Sequence, residues 1–324
     1  MSALLQIEDL SVEFYEHGEL SNRPLRGVSL EIAAGEILGV VGETGCGKSL
    51  TGLATLGLLP SGARPAGRIV IDGEEQTLGV PSPLRGESAS IVFQNPGTAF
   101  NPVFTLGSQM DDVLRYHRTL DKKGRRARIL HYLEQVGLPD PERVIRSYAH
   151  ELSGGMLQRA MIAMALVCEP RLLILDEPTT ALDVTVAKQI LELVLSLRNQ
   201  FGFGVMLITH NLGVVREVCD RVAVLYAGRV VEKGSTAQVL AHPTHPYTRG
   251  LMNALPARHR QGDRLEAIAG QVPARLVDVT GCAFVERCPV AFERCYTEDP
   301  RPRAVPGQPA HEAACLLVGE GSER

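Results

Sequence analysis

Several features are scarce or absent in this sequence, and each absence argues against a class of protein. It has no tryptophan, aromatic residues make up only 5% of the chain, and a core must therefore be built mainly from aliphatic side chains. No apolar stretch reaches the roughly 20 residues that a membrane-spanning helix needs. The first residues, MSALLQIEDL, contain neither a basic segment nor a long apolar run, which argues against a signal peptide. The 33 basic and 37 acidic residues lack the basic excess of a general nucleic-acid binder. We therefore expect a cytosolic protein that reaches a membrane only through partner subunits.

Short apolar runs alternate with helical patterns along most of the chain. Strands are predicted at Leu5–Phe14, Glu36–Gly42, Gly67–Gly73, Ile91–Gln94, Leu172–Asp176, Gly204–Thr209 and Arg221–Tyr226, and helices from near Gly47, from near Ser153, at Val184–Asn199 and at Leu212–Cys219. This alternation predicts an α/β fold with a mainly parallel sheet covered on both faces. A helical pattern within residues 95–165 predicts an inserted helical subdomain. Beyond Pro256 the composition shifts toward Pro, Arg and Cys, which predicts a main domain at residues 1–256 and an extension at residues 257–324.

A phosphate-binding loop follows one of the predicted strands. The segment GETGCGKS at Gly42–Ser49 fits the pattern G-x-x-x-x-G-K-[ST] and lies between a strand and a helix, as the motif requires. Backbone N–H groups of such a loop form an anion nest. The residues predicted to hold the nucleotide phosphates are Gly42, Glu43, Thr44, Gly45, Cys46, Gly47, Lys48 and Ser49. Within that set, Lys48 suits the outer phosphates and the Ser49 hydroxyl suits Mg²⁺.

Two further motifs lie downstream of this loop. In LLILDEP, Asp176 ends a predicted buried strand, where its carboxylate can reach the magnesium shell, and Glu177 is placed to polarise an attacking water. The segment LSGGMLQR at Leu152–Arg159 precedes it and starts a predicted helix, whose free N–H groups and Ser153 hydroxyl suit phosphate binding.

Taken together, the three motifs make about the first 250 residues resemble the ATPases of ABC transporters. The resemblance implies that Gln94 senses Mg²⁺ and the partner domain, that His210 contacts the γ-phosphate, and that Asp183 communicates across a dimer. It implies that Ser153, Gly154 and Gly155 bind the ATP held by a second copy of the fold. A small-molecule kinase or GTPase would share the phosphate loop alone, and the Ser-Gly-Gly string and His210 argue against it.

The same resemblance also bears on the adenine-binding residue and on the signature. Family members stack adenine on an aromatic residue after the first strand, which points to Phe14, with Tyr15 as the alternative. Met156 stands where the commonest family signature has glutamine. Because backbone amides and Ser153 would make most of the phosphate contact, we expect ATPase activity to survive this departure.

Two stretches resemble the peptide importer branch of this family. They are FQNPGTAFNPVFTLGSQM at Phe93–Met110, where family ATPases receive a coupling helix of the membrane subunit, and HPYTRGLMNALP at His245–Pro256. The resemblance implies ATP-driven import of dipeptides or oligopeptides from the cytoplasmic face of the membrane. It also implies a second ATPase subunit (we favour a related but different chain), two transmembrane permease subunits and a separate solute-binding protein. A nickel or other small-solute importer and a non-transport ABC ATPase stay open as alternatives.

Four of the seven cysteines crowd the C-terminal part of the chain: Cys282, Cys288, Cys295 and Cys315. A reducing cytosol disfavours disulfides, so a metal centre is the better interpretation, and four thiolates suit either zinc or an iron–sulfur cluster. Zinc ribbons usually contain C-x2-C pairs, which this group lacks. The resemblance to peptide importer ATPases implies a [4Fe-4S] cluster with a structural role, with zinc or unligated thiols as alternatives. His311 could replace one cysteine, although hydrogen bonding of a surface histidine is the simpler role.

Overall fold

A computed structural model describes residues 3–180, 182–254, 268–273, 275–277 and 279–318. The strands are β1 Leu5–Glu16, β2 Glu19–Ile32, β3 Ile37–Val41, β4 Ala63–Ile71, β5 Glu74–Glu75, β6 Ala89–Val92, β7 Leu172–Asp176, β8 Gly204–Thr209, β9 Arg221–Tyr226, β10 Arg229–Ser235, β11 Arg303–Val305 and β12 Gln308–Ala313. The helices are α1 Lys48–Thr55, α2 Pro96–Ala99, α3 Leu106–His117, α4 Lys122–Gln135, α5 Pro141–Val144, α6 Gly154–Leu166, α7 Val184–Phe201, α8 Leu212–Val218, α9 Thr236–Ala241 and α10 Pro246–Asn253. Among these helices none is long and apolar enough to cross a membrane.

The central sheet contains a parallel core in the order β9-β3-β8-β7-β6. Every residue of β3, β7 and β8 is buried, which explains why these strands appear in the sequence as continuous apolar runs. Because parallel strands end at the same edge, the residues that follow β3, β7 and β8 meet there. The edge therefore collects the phosphate loop, Glu177 and His210, and the predicted parallel α/β architecture is confirmed.

A second, antiparallel sheet has the order β2-β1-β4-β5 and lies against the central one. Its aliphatic side chains share a hydrophobic core with residues of β3, β7 and β8. The sequence analysis predicted β1 and most of β4 but not the 14-residue strand β2. This strand carries Asn22, Arg23 and Pro24 between its apolar ends, so its pattern is not that of a regular strand. Pairing with β1 along most of its length compensates for the weak local signal.

The helices from α2 to α6 form the inserted helical part of the chain. Thr105 caps α3 by accepting a hydrogen bond from the Ser108 N–H, and Asp121 caps α4 in the same way with Gly124. Their apolar faces join one hydrophobic core with α6 and α7. This arrangement places α6, with the Ser-Gly-Gly string at its start, next to the parallel sheet.

The C-terminal extension continues the central sheet, since β12 pairs with β10 and β11 pairs with β12. His311 on β12 is completely buried, with Nε2 2.7 Å from a carboxylate oxygen of Glu232 on β10. Glu232 also accepts hydrogen bonds from the backbone N–H groups of Thr244 and His245, at 2.6 and 3.0 Å. The expected hydrogen bond of His311 is therefore confirmed, but the expectation that this histidine lies at the surface was wrong. This buried pair joins the extension to the central sheet.

Candidate nucleotide-binding site

The phosphate loop leaves the end of β3 and enters α1 through backbone conformations that only glycine adopts easily. Gly47 has φ of 105° and Gly42 has φ of 154°. A Cβ atom on Gly47 would lie 2.5 Å from Leu25 Cδ2, and one on Gly42 would lie 2.2 Å from the Leu225 carbonyl oxygen. Close contacts with β9 and β2 therefore require Gly42 and Gly47, whereas Gly45 is favoured by its φ of 83° alone. The loop leads directly into α1, which begins at Lys48.

Lys48 is held inside this loop. Its side chain is almost fully buried, and its Nζ donates hydrogen bonds to the carbonyl oxygens of Gly42 and Glu43, each at 2.9 Å. Cys46 is also buried, and burial raises the pKa of its thiol, so it remains a neutral packing residue. The loop thus presents one fixed cation and a set of backbone N–H groups to a phosphate.

Oxygen donors for a magnesium ion come together from β7 and α1. The Ser49 hydroxyl donates to an Asp176 carboxylate oxygen at 2.8 Å. Burial raises the pKa of the Asp176 carboxyl, although the hydrogen bond from Ser49 acts in the opposite direction. A buried carboxylate beside a hydroxyl is a donor set that fits Mg²⁺, which prefers oxygen ligands. The bound cation would offset the cost of burying the Asp176 charge.

Glu177 is the centre of a hydrogen-bonded group at the same edge. One of its carboxylate oxygens lies 2.7 Å from Thr180 Oγ1, 3.2 Å from His210 Nδ1 and 3.3 Å from Gln94 Nε2. Partial burial acts to raise the pKa of Glu177, but hydrogen bonds from Thr180 and His210 outweigh it and lower the pKa below its usual range. The side chain is therefore an ionised carboxylate at neutral pH. Sequence reasoning missed Thr180, whose only signal is its place three residues after Glu177.

These groups surround one open cavity of about 500 Å³. It is lined by Pro24, Thr44, Gly45, Gly47, Lys48, Ser49, Leu50, Gln94, Glu177, Thr180 and His210. Phe14 is not part of this lining and packs partly against the aliphatic core of the antiparallel sheet. Tyr15 donates to Glu13 and lies under the Arg64 guanidinium at 4.2 Å. The choice of Phe14 as adenine platform stays a prediction.

The Ser-Gly-Gly string lies at the exposed start of α6. Ser153 caps α6 by accepting a hydrogen bond from the Met156 N–H, and both Ser153 and Gly154 are exposed to solvent. Asp183 similarly caps α7 and is exposed. Neither segment lines the chain's own nucleotide cavity. The exposed start of α6 is thus free to contact an anion that another molecule holds.

The four C-terminal cysteines line a second, small and more enclosed cavity of about 20 Å³. Its other walls are mostly apolar and include Phe284 and Phe292. Burial raises the pKa of Cys282 to about 11, and the nearby charges of Cys295, Cys315 and Cys288 act in the same direction. Among the residues that the structure describes, no three His, Cys, Asp or Glu side chains are grouped closely enough to hold a metal ion.

The fold and the site define the class of protein: a P-loop ATPase of the ABC type. Residues 25–180 match the family described as ABC transporter, and residues 231–295 match the family described as oligopeptide/dipeptide transporter, C-terminal region. The probable peptide ABC transporter ATP-binding protein y4tR of Sinorhizobium fredii is 46% identical over 98% of this chain and 96% of its own. The oligopeptide transport ATP-binding protein AppD of Bacillus subtilis is 43% identical over 93% of each chain.

Solved structures agree with this classification. The structure of cbiO1 from Clostridium perfringens, part of the ABC transporter complex cbiONQ, matches with a TM-score of 0.63 at 29% identity, over 75% of this chain and 92% of its own. A dimeric post-hydrolysis state of the ATP-binding cassette MJ0796, bound to ADP and Pi, matches with a TM-score of 0.62 at 27% identity, over 72% and 98%. The chain belongs to the ABC transporter family, in the group of peptide transport ATP-binding proteins. The predicted ATPase class is confirmed.

Proposed function

We propose that this chain is the ATP-hydrolysing subunit that powers import of dipeptides or oligopeptides from the cytoplasmic face of the membrane. The observation that carries the proposal is the similarity to peptide transport ATP-binding proteins over nearly the full length, including the C-terminal region. The alternatives are a nickel or other small-solute importer and a non-transport ABC ATPase. In this proposal residues 1–256 form the ATPase domain, and residues 257–324 form an extension of it.

Each residue of the nucleotide site has a role in this proposal. The loop and Lys48 hold the phosphates, while Ser49, Asp176 and Gln94 hold Mg²⁺, directly or through water. Glu177 takes the role of general base, since its ionised carboxylate lies at the cavity wall and is oriented by Thr180 and His210. His210 then contacts the γ-phosphate. The start of α1 and Lys48 stabilise negative charge on the transferring phosphoryl group.

The exposed signature requires a second ATPase subunit. Two subunits close head to tail, so that Ser153, Gly154 and Gly155 of each contact the ATP bound to the other. Asp183 lies beside this interface in the proposal, and the adjacent Val184 exposes 87% of its surface, as expected for a residue covered in a dimer. We favour a related but different chain as partner, together with two permease subunits and a separate solute-binding protein.

A surface for the membrane subunits lies between α2 and α3. Val103 and Phe104 are 69% and 52% exposed, and Phe93 nearby is also exposed. The Gln109 side chain fixes this loop by donating to the carbonyl oxygens of Asn101 and Phe104, at 3.1 and 3.0 Å. Large apolar side chains held outward in a fixed loop are typical of a protein-binding site. We assign it to the coupling helix of a permease subunit.

The double variant V103D/F104D tests this function in the assembled transporter. We expect ATP-dependent uptake of a labelled tripeptide into proteoliposomes to fall at least about tenfold, because two charges enter an apolar interface. Nucleotide binding by the isolated subunit should stay unchanged, since neither residue lines the cavity. V80D, at another exposed valine, is the control. Uptake of nickel but not peptide would overturn the peptide assignment, and normal uptake by V103D/F104D would overturn the surface assignment.

We further assign a [4Fe-4S] cluster to Cys282, Cys288, Cys295 and Cys315. The support is the convergence of all four on one apolar-walled cavity. Bound there, the cluster would cross-link the segments of the extension that carry the four cysteines, which is a structural role. His311 is not needed as a ligand, since Glu232 and Gln308 occupy its ring nitrogens.

Metal analysis of anaerobically purified protein tests this assignment. We expect about four iron and four acid-labile sulfide per chain, with visible absorption that serine substitution of the four cysteines removes. C168A, which changes a buried thiol between α6 and β7, should keep the absorption. One zinc per chain without sulfide would overturn the cluster in favour of a zinc site. Absence of both iron and zinc would overturn it in favour of unligated thiols.

A further inference from the structure

We propose that Arg287, in the C-terminal extension, positions the phosphate loop by neutralising and orienting Glu43. Arg287 would thus be a positioning residue for ATP binding, although it lies outside the ATPase motifs. The inference depends on ATP binding at the loop and is independent of which solute is transported.

The contact between the two side chains is bidentate. Arg287 Nη1 and Nη2 each lie 3.1 Å from a different carboxylate oxygen of Glu43. The Arg287 side chain is 6% exposed, and its remaining hydrogen bonds go to the carbonyl oxygens of Ala269 and Ile268 and to the Tyr226 hydroxyl. A planar guanidinium with this many fixed partners has one orientation, so it can hold Glu43 in one place.

The backbone of Glu43 is held from the same side. Its N–H donates to the Tyr247 hydroxyl at 2.9 Å, and Tyr247 is completely buried at the start of α10. Phe284 of the extension packs edge-on against Tyr226 and Tyr247, with ring centroids 5.1 and 5.4 Å away. The Glu43 side chain is therefore held by the extension, through Arg287. Its backbone is held by Tyr247, against which Phe284 of the extension packs.

The charge of Glu43 explains why this anchor matters for nucleotide binding. Glu43 places a carboxylate in a loop that must bind a polyanionic triphosphate, and like charges repel. Arg287 offsets that charge. The Glu43 carbonyl oxygen also accepts a hydrogen bond from Lys48 Nζ, so a displaced Glu43 would disturb the phosphate-binding cation.

Arg287 also lies beside the cysteine cavity. It ends the 3₁₀ turn Val285–Arg287, between Cys282 and Cys288, and the Cys288 N–H bonds back to the Val285 carbonyl oxygen at 3.3 Å. The conformation of this cysteine segment therefore sets the position of the guanidinium. Unfolding of the segment would release Glu43 and weaken nucleotide binding.

The proposal is tested with the variants R287A, E43Q and R287A/E43Q. Their affinity for a fluorescent ATP analogue is measured at equilibrium, and KM and kcat for ATP hydrolysis are measured in the assembled transporter. We expect R287A to raise Kd and KM roughly tenfold, the size typical of coupling between sites, with kcat changed less than about twofold. E43Q alone gives the reference for the double variant, and adding E43Q to R287A should restore most of the affinity that R287A loses, because no unpaired carboxylate remains. R287K should retain part of the ATP affinity that R287A loses.

The matched control is R294A, which removes an arginine that pairs with Glu298 within the extension. R294A should leave Kd unchanged. Equal loss in R294A and R287A, no restoration by E43Q, or an unchanged Kd in R287A would each overturn the proposal. If R287A does not fold, as judged by circular dichroism, R287K and R287K/E43Q give the same comparison.

Discussion

Replacement of Glu177 by glutamine is expected to lower kcat for ATP hydrolysis at least about 100-fold while ATP still binds. The change keeps the shape of the side chain and its contact with the Thr180 hydroxyl, but it removes the charge that would attract a proton from water. Because hydrogen bonds lower the pKa of Glu177, the wild-type carboxylate is already ionised at neutral pH and ready to act as a base. Single-turnover hydrolysis together with equilibrium ATP binding measures the two effects separately.

Glu192 on α7 provides the control for this experiment. It is an exposed glutamate that pairs only loosely with Lys188, at 3.8 Å, so E192Q should hydrolyse ATP at the wild-type rate. We also expect E177Q to accumulate as an ATP-bound dimer, detectable by size-exclusion chromatography. Hydrolysis by E177Q at more than about one-tenth of the wild-type rate would remove Glu177 from the role of general base.

Replacement of Gly154 by aspartate should abolish hydrolysis by a different route. A Cβ atom at this position would meet only Leu182 Cδ2, at an ordinary 3.7 Å, and an aspartate in the first turn of α6 is favourable to the helix dipole. The fold should therefore tolerate the change. A carboxylate at this exposed site would, however, repel the phosphates presented by the partner subunit. We expect at least about a 100-fold loss of hydrolysis and an unchanged Kd for ATP on the isolated subunit.

G154A separates charge from size, since it adds the same Cβ atom without a carboxylate and should retain most of the activity. Mixing G154D with E177Q extends the test when the two subunits can be varied separately. One site then combines the intact Glu177 of the G154D subunit with the intact Ser-Gly-Gly string of the E177Q subunit, and the other site carries both changes. Hydrolysis at one site should therefore be retained. A lowered ATP affinity of the isolated G154D subunit would contradict the assignment of this string to the partner's nucleotide.

The sequence signals for the candidate nucleotide site are local. The phosphate loop needs positive φ at particular glycines, and the spacing of Lys48 and Ser49 from them follows from the loop that α1 continues. Likewise, β7 is a continuous apolar run because both faces of the parallel sheet are covered. Its end predicts the positions of Asp176 and Glu177 without knowledge of any other strand.

The contacts that complete the site depend on tertiary structure. Strand β2 is stabilised by pairing with β1 and not by its own pattern, and His311 finds its partner on β10. Arg287 and Glu43 are 244 residues apart, and no periodicity or motif links them.

The sequence by itself determined that this chain is a P-loop ATPase of the ABC type with four C-terminal cysteines, because short motifs require specific residues at fixed spacing. Only the tertiary structure decided that those cysteines line one cavity and that the extension continues the central sheet. It alone also decided that Arg287 of the extension contacts Glu43 in the phosphate loop. The physical reason is that these are contacts between distant segments. Their energy depends on burial and on relative position in space, which local sequence does not specify.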